Sequence, residues 1–167
     1  MSRVLIIDDE NDICFLISEV LNDESFICDS ANNSTQALEK FYKFNPDLII
    51  LDVWLSNSEF DGIELLSKFK DLNPLVPIIV ISGHGTVDMA VKAIKNGAYD
   101  FIEKPFNTDK LIVTSKRAIE SATMAILNHL NILETKEKEY LKKYETTALY
   151  NLKNIHIGKI KTEIIIN

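Results

Sequence analysis

The chain alternates short apolar runs with longer segments in which apolar residues recur every three or four positions. Runs such as 4–7 and 48–51 are bounded by charged or turn residues, which is typical of strands buried on both faces of a parallel sheet. The segments between them have the spacing of amphipathic helices that cover such a sheet. The pattern predicts five strand–helix pairs, with strands at about residues 3–8, 26–31, 77–81 and 99–103 and a third strand ending at Asp52.

Strands that alternate with amphipathic helices at this spacing imply right-handed crossovers. The predicted fold class is therefore α/β, a (βα)5 doubly wound five-stranded parallel sheet with a C-terminal helical extension. We expect one domain over residues 1–122, a helical linker over 123–150 and an irregular tail over 151–167. Two interpretations of the linker stay open, an imperfect coiled-coil seam and a single amphipathic helix packed on its own domain. The apolar residues on its alternating 4/3 frame are Ile119, Ile126, Leu130, Leu133, Tyr140 and Tyr144.

Charge and composition narrow the functional classes. The net charge of −7 argues against a chain that simply coats nucleic acid. The acidic excess lies in residues 1–106, which carry 18 acidic and 8 basic side chains. Cys14 and Cys28 lack the spacing of a metal or redox motif, so we expect reduced thiols. With no signal peptide and no apolar run of membrane-spanning length, we expect a soluble, cytoplasmic protein without membrane contact.

Polar side chains follow the predicted strands at the point where each strand ends. The carboxyl ends of parallel strands meet at the edge of the sheet where α/β proteins place their chemistry. We therefore expect the polar residues at these ends to converge. They are Asp8 and Asp9 after the first strand, Asp52 at the end of the third, Ser82 after the fourth and Lys104 after the fifth.

Three carboxylates at one edge repel one another, by about 4 kcal/mol per pair at ~4 Å and an effective dielectric near 20. A Mg²⁺ ion would relieve this repulsion, since it takes hard oxygen ligands and bridges to phosphate oxygens. Lys104 supplies a cation and Ser82 a hydroxyl. Each residue alone has an ordinary explanation, such as a helix-capping acid or a surface lysine. Together they indicate phosphoryl transfer onto Asp52.

With these residues in these places, the chain resembles a response-regulator receiver (CheY-like) domain of two-component signalling. The stretch 97–106, Gly-Ala-Tyr-Asp-Phe-Ile-Glu-Lys-Pro-Phe, is close to the form found in NtrC/NtrX-type nitrogen regulators. The resemblance covers about residues 1–122. It implies that Asp52 accepts a phosphoryl group from the phosphohistidine of a sensor histidine kinase. It also implies that Asp9, Asp52 and the Trp54 carbonyl bind Mg²⁺ directly.

By the same resemblance, Asp8 would bind the ion through water, and Ser82 and Lys104 would hold the phosphoryl oxygens. The Lys104–Pro105 peptide is expected to be cis. Phe101 takes the aromatic switch position and would rotate inward as Ser82 moves. The face formed by the fourth helix, fifth strand and last helix would then change shape and alter homodimerisation.

The resemblance also raises the question of output, because NtrC-type regulators continue into an ATPase domain and a DNA-binding module. Gly158-Lys159-Ile160 lacks the first glycine and the hydroxyl of a phosphate-binding loop. The residues after 122 are too few for a DNA-binding module. We therefore expect a truncated or degenerate regulator, or one that acts through protein contacts alone, with no nucleic-acid contact and no enzymatic activity beyond its own phosphotransfer and dephosphorylation.

Other functional classes share this architecture. A flavodoxin-like nucleotide binder would need a loop rich in glycine and hydroxyl groups after the first strand, where Asp8-Asp9-Glu10 would repel phosphate. A Mg²⁺-dependent phosphatase would need a second acid near Asp52, and a pseudo-receiver would only bind partners. A narrower hypothesis concerns Trp54 and His84, which should flank the route of water to Asp52. A bulky Trp54 predicts slow self-dephosphorylation, unless it merely packs on its loop.

Overall fold

The computed structural model describes residues 1–56, 58–83 and 85–166, with side chains as far as residue 146. Strands and helices alternate through the described residues, as the sequence predicts. The strands are β1 (Arg3–Ile7), β2 (Ile27–Ala31), β3 (Leu48–Asp52), β4 (Ile78–Ser82) and β5 (Asp100–Glu103). The helices are α1 (Asn11–Asp23), α2 (Ser34–Phe44), α3 (Gly62–Leu72), α4 (Val87–Lys95) and α5 (Thr108–Ile166).

The five strands form one parallel sheet in the order β2-β1-β3-β4-β5. The order reverses direction after β2, which is the arrangement of a doubly wound sheet. All residues of β3 and β4 are buried, because both central strands are covered on both faces. The predicted fold class is confirmed.

Alternate residues of each strand enter one of two hydrophobic clusters. Leu5, Ile49 and Leu51 face the cluster completed by residues of α2, α3 and α4. Ile6 and Ile50 face the opposite cluster, which residues of α1 and α5 complete. The core therefore lies in two layers, and it holds the strands so that their carboxyl ends meet at one edge.

The start of α3 is packed closely against the end of β3. A side chain at Gly62 would place its Cβ only 2.1 Å from the carbonyl oxygen of Asp52, so only glycine fits there. The Gly62 N–H donates to the Val53 carbonyl at 2.9 Å. Asp61 and Glu64 then form a capping box that starts the helix. These contacts hold the chain immediately after Asp52.

The chain divides into two compact units, Met1–Ala125 and Ile126–Asn167. The second unit is helical, because α5 continues through Ile166. The irregular tail predicted over residues 151–167 is therefore wrong as far as Ile166. The segment contains no proline, and its single glycine costs a helix only about 1 kcal/mol. Although α5 is long, no helix in the described part of the chain is long and apolar enough to cross a membrane.

The predicted seam residues of the second unit lie on α5 with much of their surface accessible. Ile126, Leu130, Leu133, Tyr140 and Tyr144 are all exposed. Tyr140 and Tyr144 also contact each other, with ring centroids 4.8 Å apart. An apolar stripe of this kind is available to a partner helix.

Candidate functional site

Asp8 directly follows β1 and is fully buried at the carboxyl edge of the sheet. Its N–H donates to the Ala31 carbonyl at 3.1 Å, which extends the pairing with β2 by one residue. Its Oδ1 accepts a hydrogen bond from the Glu10 N–H at 2.9 Å. The turn after β1 therefore directs this carboxylate into the crevice and not into solvent.

Asp52 is the last residue of β3 and is also buried. Its Oδ1 accepts a hydrogen bond from the Trp54 N–H at 3.2 Å. The strand register pairs Asp52 with Ile81 of β4, so Ser82 lies one residue further along the neighbouring strand. Ser82 is buried as well, and its carbonyl accepts the Lys104 N–H at 2.8 Å.

Lys104 joins these carboxylates. Its Nζ lies 2.7 Å from Asp8 Oδ2 and 2.7 Å from Asp52 Oδ2. Glu10 Oε1 is 3.6 Å from the same nitrogen. Only 11% of the Lys104 side chain is exposed, which makes the ion pairs stronger than surface pairs. The Lys104–Pro105 peptide is cis, as predicted.

Burial and pairing act in opposite directions on the ionisation of this cluster. Burial raises the pKa of Asp8 above its usual 3.8, although hydrogen bonds from Lys104 and the Glu10 N–H oppose the shift. Burial also works to lower the pKa of Lys104, but hydrogen bonds to Asp52 and Asp8 outweigh it, and the pKa is raised above 10.5. Lys104 is therefore charged at neutral pH, and ionising Asp8 costs free energy.

Among the described residues, one set of carboxylate oxygens converges closely enough to hold a metal ion. Oxygens of Asp8, Glu10 and Asp52 all lie within 4.8 Å of one another. Asp9, predicted as a direct ligand, is not in this converging set, and its Oδ2 accepts a hydrogen bond from the Ser56 N–H at 3.0 Å. The convergence of Glu10 was missed from the sequence, where only its place in the Asp8-Asp9-Glu10 run could have indicated it.

The structure describes two of the remaining predicted residues, Phe101 and Trp54. Phe101 is on β5, partly buried against the cluster that includes Leu5 and Ile49. A Cβ added at Gly85 would lie 3.1 Å from Phe101 Cε1, so the ring packs over this glycine. Trp54 is 54% exposed. His84 lies outside the described residues.

Comparison with known proteins agrees with this arrangement. Residues 4–116 match the model of the response regulator receiver domain family. A putative NtrX-like response regulator of Rickettsia bellii is 54% identical over 117 residues, which is 70% of this chain and 24% of that protein. The chain thus spans about a quarter of the length of the curated relatives that it matches.

Solved structures give the same result. The receiver domain of NtrX from Brucella abortus is 44% identical, with a TM-score of 0.68 over 70% of this chain and 98% of that one. The beryllofluoride-activated NtrC4 receiver domain dimer is 41% identical, with a TM-score of 0.69 over 73% and 99% of the two chains. This chain belongs to the response regulator receiver domain family and is of the NtrX type.

Proposed function

We propose that this chain accepts a phosphoryl group from a sensor histidine kinase on Asp52, in a Mg²⁺-dependent reaction, and thereby changes its association with itself. The observation that carries the proposal is the position of the Asp52 carboxylate, buried at the carboxyl edge of the sheet with the Lys104 ammonium 2.7 Å away. Membership of the receiver family supports it.

The reaction transfers one phosphoryl group between two nucleophiles. An oxygen of the ionised Asp52 attacks phosphorus, a P–O bond forms, and the P–N bond to the kinase imidazole breaks. The leaving imidazole takes its electron pair and afterwards a proton. Lys104 balances negative charge on the phosphoryl oxygens, and the Ser82 hydroxyl donates to one of them. The product is an acyl phosphate, which carries about two negative charges where the Asp52 carboxylate carried one.

The donor set in the crevice fits Mg²⁺. Its atoms are hard carboxylate oxygens, and the three converging carboxylates carry more negative charge than Lys104 alone can balance. Asp9, Asp52 and the Trp54 carbonyl would hold the ion directly and Asp8 through water, and Glu10 joins the candidates because its carboxylate reaches the same crevice. When bound, the ion screens the negative charge of the acceptor and of the incoming phosphoryl group.

The phosphoryl group would then alter one face of the domain. Ser82 would move toward the new oxygens and Phe101 would rotate inward, which reshapes the surface of α4, β5 and α5. That surface carries exposed apolar side chains, among them Val87, Val91 and Ile94. The activated NtrC4 receiver domain, a relative, is a dimer. We infer that phosphorylation shifts this chain toward a homodimer that forms through its surface of α4, β5 and α5.

Mass spectrometry of the intact protein tests the phosphoryl transfer. With Mg²⁺ and a histidine-kinase donor or acetyl phosphate, the protein should gain the mass of one phosphoryl group, and removal of Mg²⁺ by chelation should prevent the gain. Asp52→Ala should abolish it, whereas Asp47→Ala, at the opposite end of the same strand, should not. No gain from a competent donor, or an equal gain in Asp52→Ala, would contradict the proposal and favour a scaffold that acts without phosphorylation.

A further inference from the structure

We propose that the β2–α2 junction, residues Asn32–Ser34, positions both sides of the metal-binding crevice, so that Asn32 and Ser34 set the affinity for the ion without touching it. This inference rests on the proposed Mg²⁺ site. It concerns two residues that do not belong to the predicted acidic cluster: Asn32, which directly follows β2, and Ser34, the first residue of α2.

The first contact fixes the acidic turn. The Asn32 side chain donates from Nδ2 to the Asp8 carbonyl at 3.0 Å and to Asn11 Oδ1 at 2.9 Å. The Cys14 thiol is a second donor to the same carbonyl at 3.4 Å. Burial raises the pKa of Cys14 to about 11, so the thiol keeps its proton. Because the Asp8 N–H is also bonded, to the Ala31 carbonyl, the backbone of Asp8 is held on both sides.

The second contact fixes the loop that follows Asp52. The fully buried Ser34 donates its N–H to Ser58 Oγ at 3.0 Å, and its own Oγ accepts the Phe60 N–H at 3.4 Å. The same loop carries Trp54, whose carbonyl is a proposed ligand. Its Ser56 N–H donates to Asp9 at 3.0 Å. One junction is thus bonded to the acidic turn and to the loop, the two segments between which the ion would bind.

A different residue caps the start of α2. The helix has its own N-cap, since Asn33 Oδ1 accepts the Gln36 N–H at 2.9 Å. Asn32 and Asn33 are therefore adjacent residues of the same type with different partners, one bonded to the acidic turn and the other to the helix. Groups that orient metal ligands typically change metal affinity about 10- to 100-fold when they are removed.

The matched pair gives a direct experiment. Mn²⁺ replaces Mg²⁺ as the probe because it prefers the same oxygen donors, and electron paramagnetic resonance counts the free ion. Asn32→Ala and Ser58→Ala should each weaken Mn²⁺ binding about tenfold. Asn33→Ala should lower the urea midpoint by removing the N-cap, yet bind Mn²⁺ within about twofold of the wild type. A competing Mg²⁺ titration should give the same ranking.

The possible results separate this inference from the proposed function. A wild-type protein that binds no Mn²⁺ contradicts the metal site itself. A wild type that binds, with Asn32→Ala and Ser58→Ala binding equally well, overturns the positioning role alone. A loss of affinity in Asn33→Ala as large as in the other two also overturns it, because general loosening of α2 would then explain the effect. A loss confined to one of the two variants overturns the role of the other contact.

Discussion

The Lys104 ammonium lies 2.7 Å from Asp52 Oδ2, and this contact joins two strands that are not neighbours in the sheet. Lys104 follows β5, Asp52 ends β3, and β4 lies between them. The same nitrogen also lies 2.7 Å from Oδ2 of Asp8, which directly follows β1. One cation therefore pairs with both buried carboxylates of the crevice.

Removal of the Lys104 ammonium should destabilise the fold. Lys104→Met leaves Asp8 and Asp52 buried without their partner, so the free energy of unfolding should fall by about 3 kcal/mol near pH 7. Mg²⁺ should restore more stability to this variant than to the wild type, because the ion supplies the missing charge. Urea unfolding with and without Mg²⁺ measures both effects. Lys116→Met, which breaks the exposed pair with Glu24, is the control and should cost less than about 1 kcal/mol. Equal losses in the two variants would contradict the bridging role.

The buried Asp8 should make stability depend on pH. Its pKa is raised in the folded protein, so its contribution to stability is complete below the unfolded value of 3.8 and is lost as the pH rises through the folded pKa. In Asp8→Asn the side chain does not ionise, so this loss of stability with rising pH does not occur. Without Mg²⁺, the variant should therefore become more stable than the wild type as the pH rises from about 4 to 7, with no such gain at pH 3.

Unfolding curves at several pH values measure this difference. Asp47→Asn, which alters a carboxylate paired with Arg3 at the other end of the sheet, should not give the same gain. A difference between Asp8→Asn and the wild type that stays constant with pH would show that desolvation of Asp8 is not its cause.

Trp54 should slow the loss of the phosphoryl group. Its backbone N–H donates to Asp52 Oδ1, which holds the Trp54 backbone beside the proposed phosphoryl acceptor. Asparagine has a carboxamide that can orient water, so Trp54→Asn should shorten the phosphorylated lifetime several-fold. Tyr42→Asn removes another exposed aromatic, on α2, and should leave the lifetime unchanged. Decay of the phosphorylated mass over time measures both, and an unchanged lifetime in Trp54→Asn would show that the indole only packs on its loop.

The sheet and the position of Asp52 were predictable because a strand buried on both faces has a simple apolar pattern. The convergence of Asp8, Asp52 and Lys104 followed from the topology of parallel strands. The orientation of Asp9 toward Ser56 and of Glu10 toward the crevice depends on the backbone of one turn, which residue types do not specify. Asn32 could not be found either, because its bond to the Asp8 carbonyl joins elements 24 residues apart through a backbone atom.

Gly85 should control the position of the proposed switch residue. A Cβ there would lie 3.1 Å from Phe101 Cε1, whereas a Cβ at Gly83 meets nothing within 4 Å. Gly85→Ala should therefore displace the Phe101 ring and lower the free energy of unfolding by about 1 kcal/mol. Gly83→Ala should do neither. Urea unfolding and the aromatic NMR signals of Phe101 measure the two effects. Identical behaviour of the two variants would show that the position of the Phe101 ring does not depend on the absence of a side chain at Gly85.

The seam of α5 should contribute to self-association. Leu133 lies on the predicted coiled-coil frame and the adjacent Ile132 does not, yet their exposed fractions are similar, at 49% and 52%. If a second copy covers the seam, Leu133→Ser should weaken the dimer about tenfold or more, because it removes a buried leucine from each chain. Ile132→Ser should have little effect, since its side chain points away from the partner. Sedimentation equilibrium of the phosphorylated protein measures the dimer dissociation constants of both variants.

Equal weakening of the dimer by the two variants would show that the apolar surface of α5 acts without coiled-coil register. No weakening by either variant would confine the dimer contact to the face of α4, β5 and the start of α5.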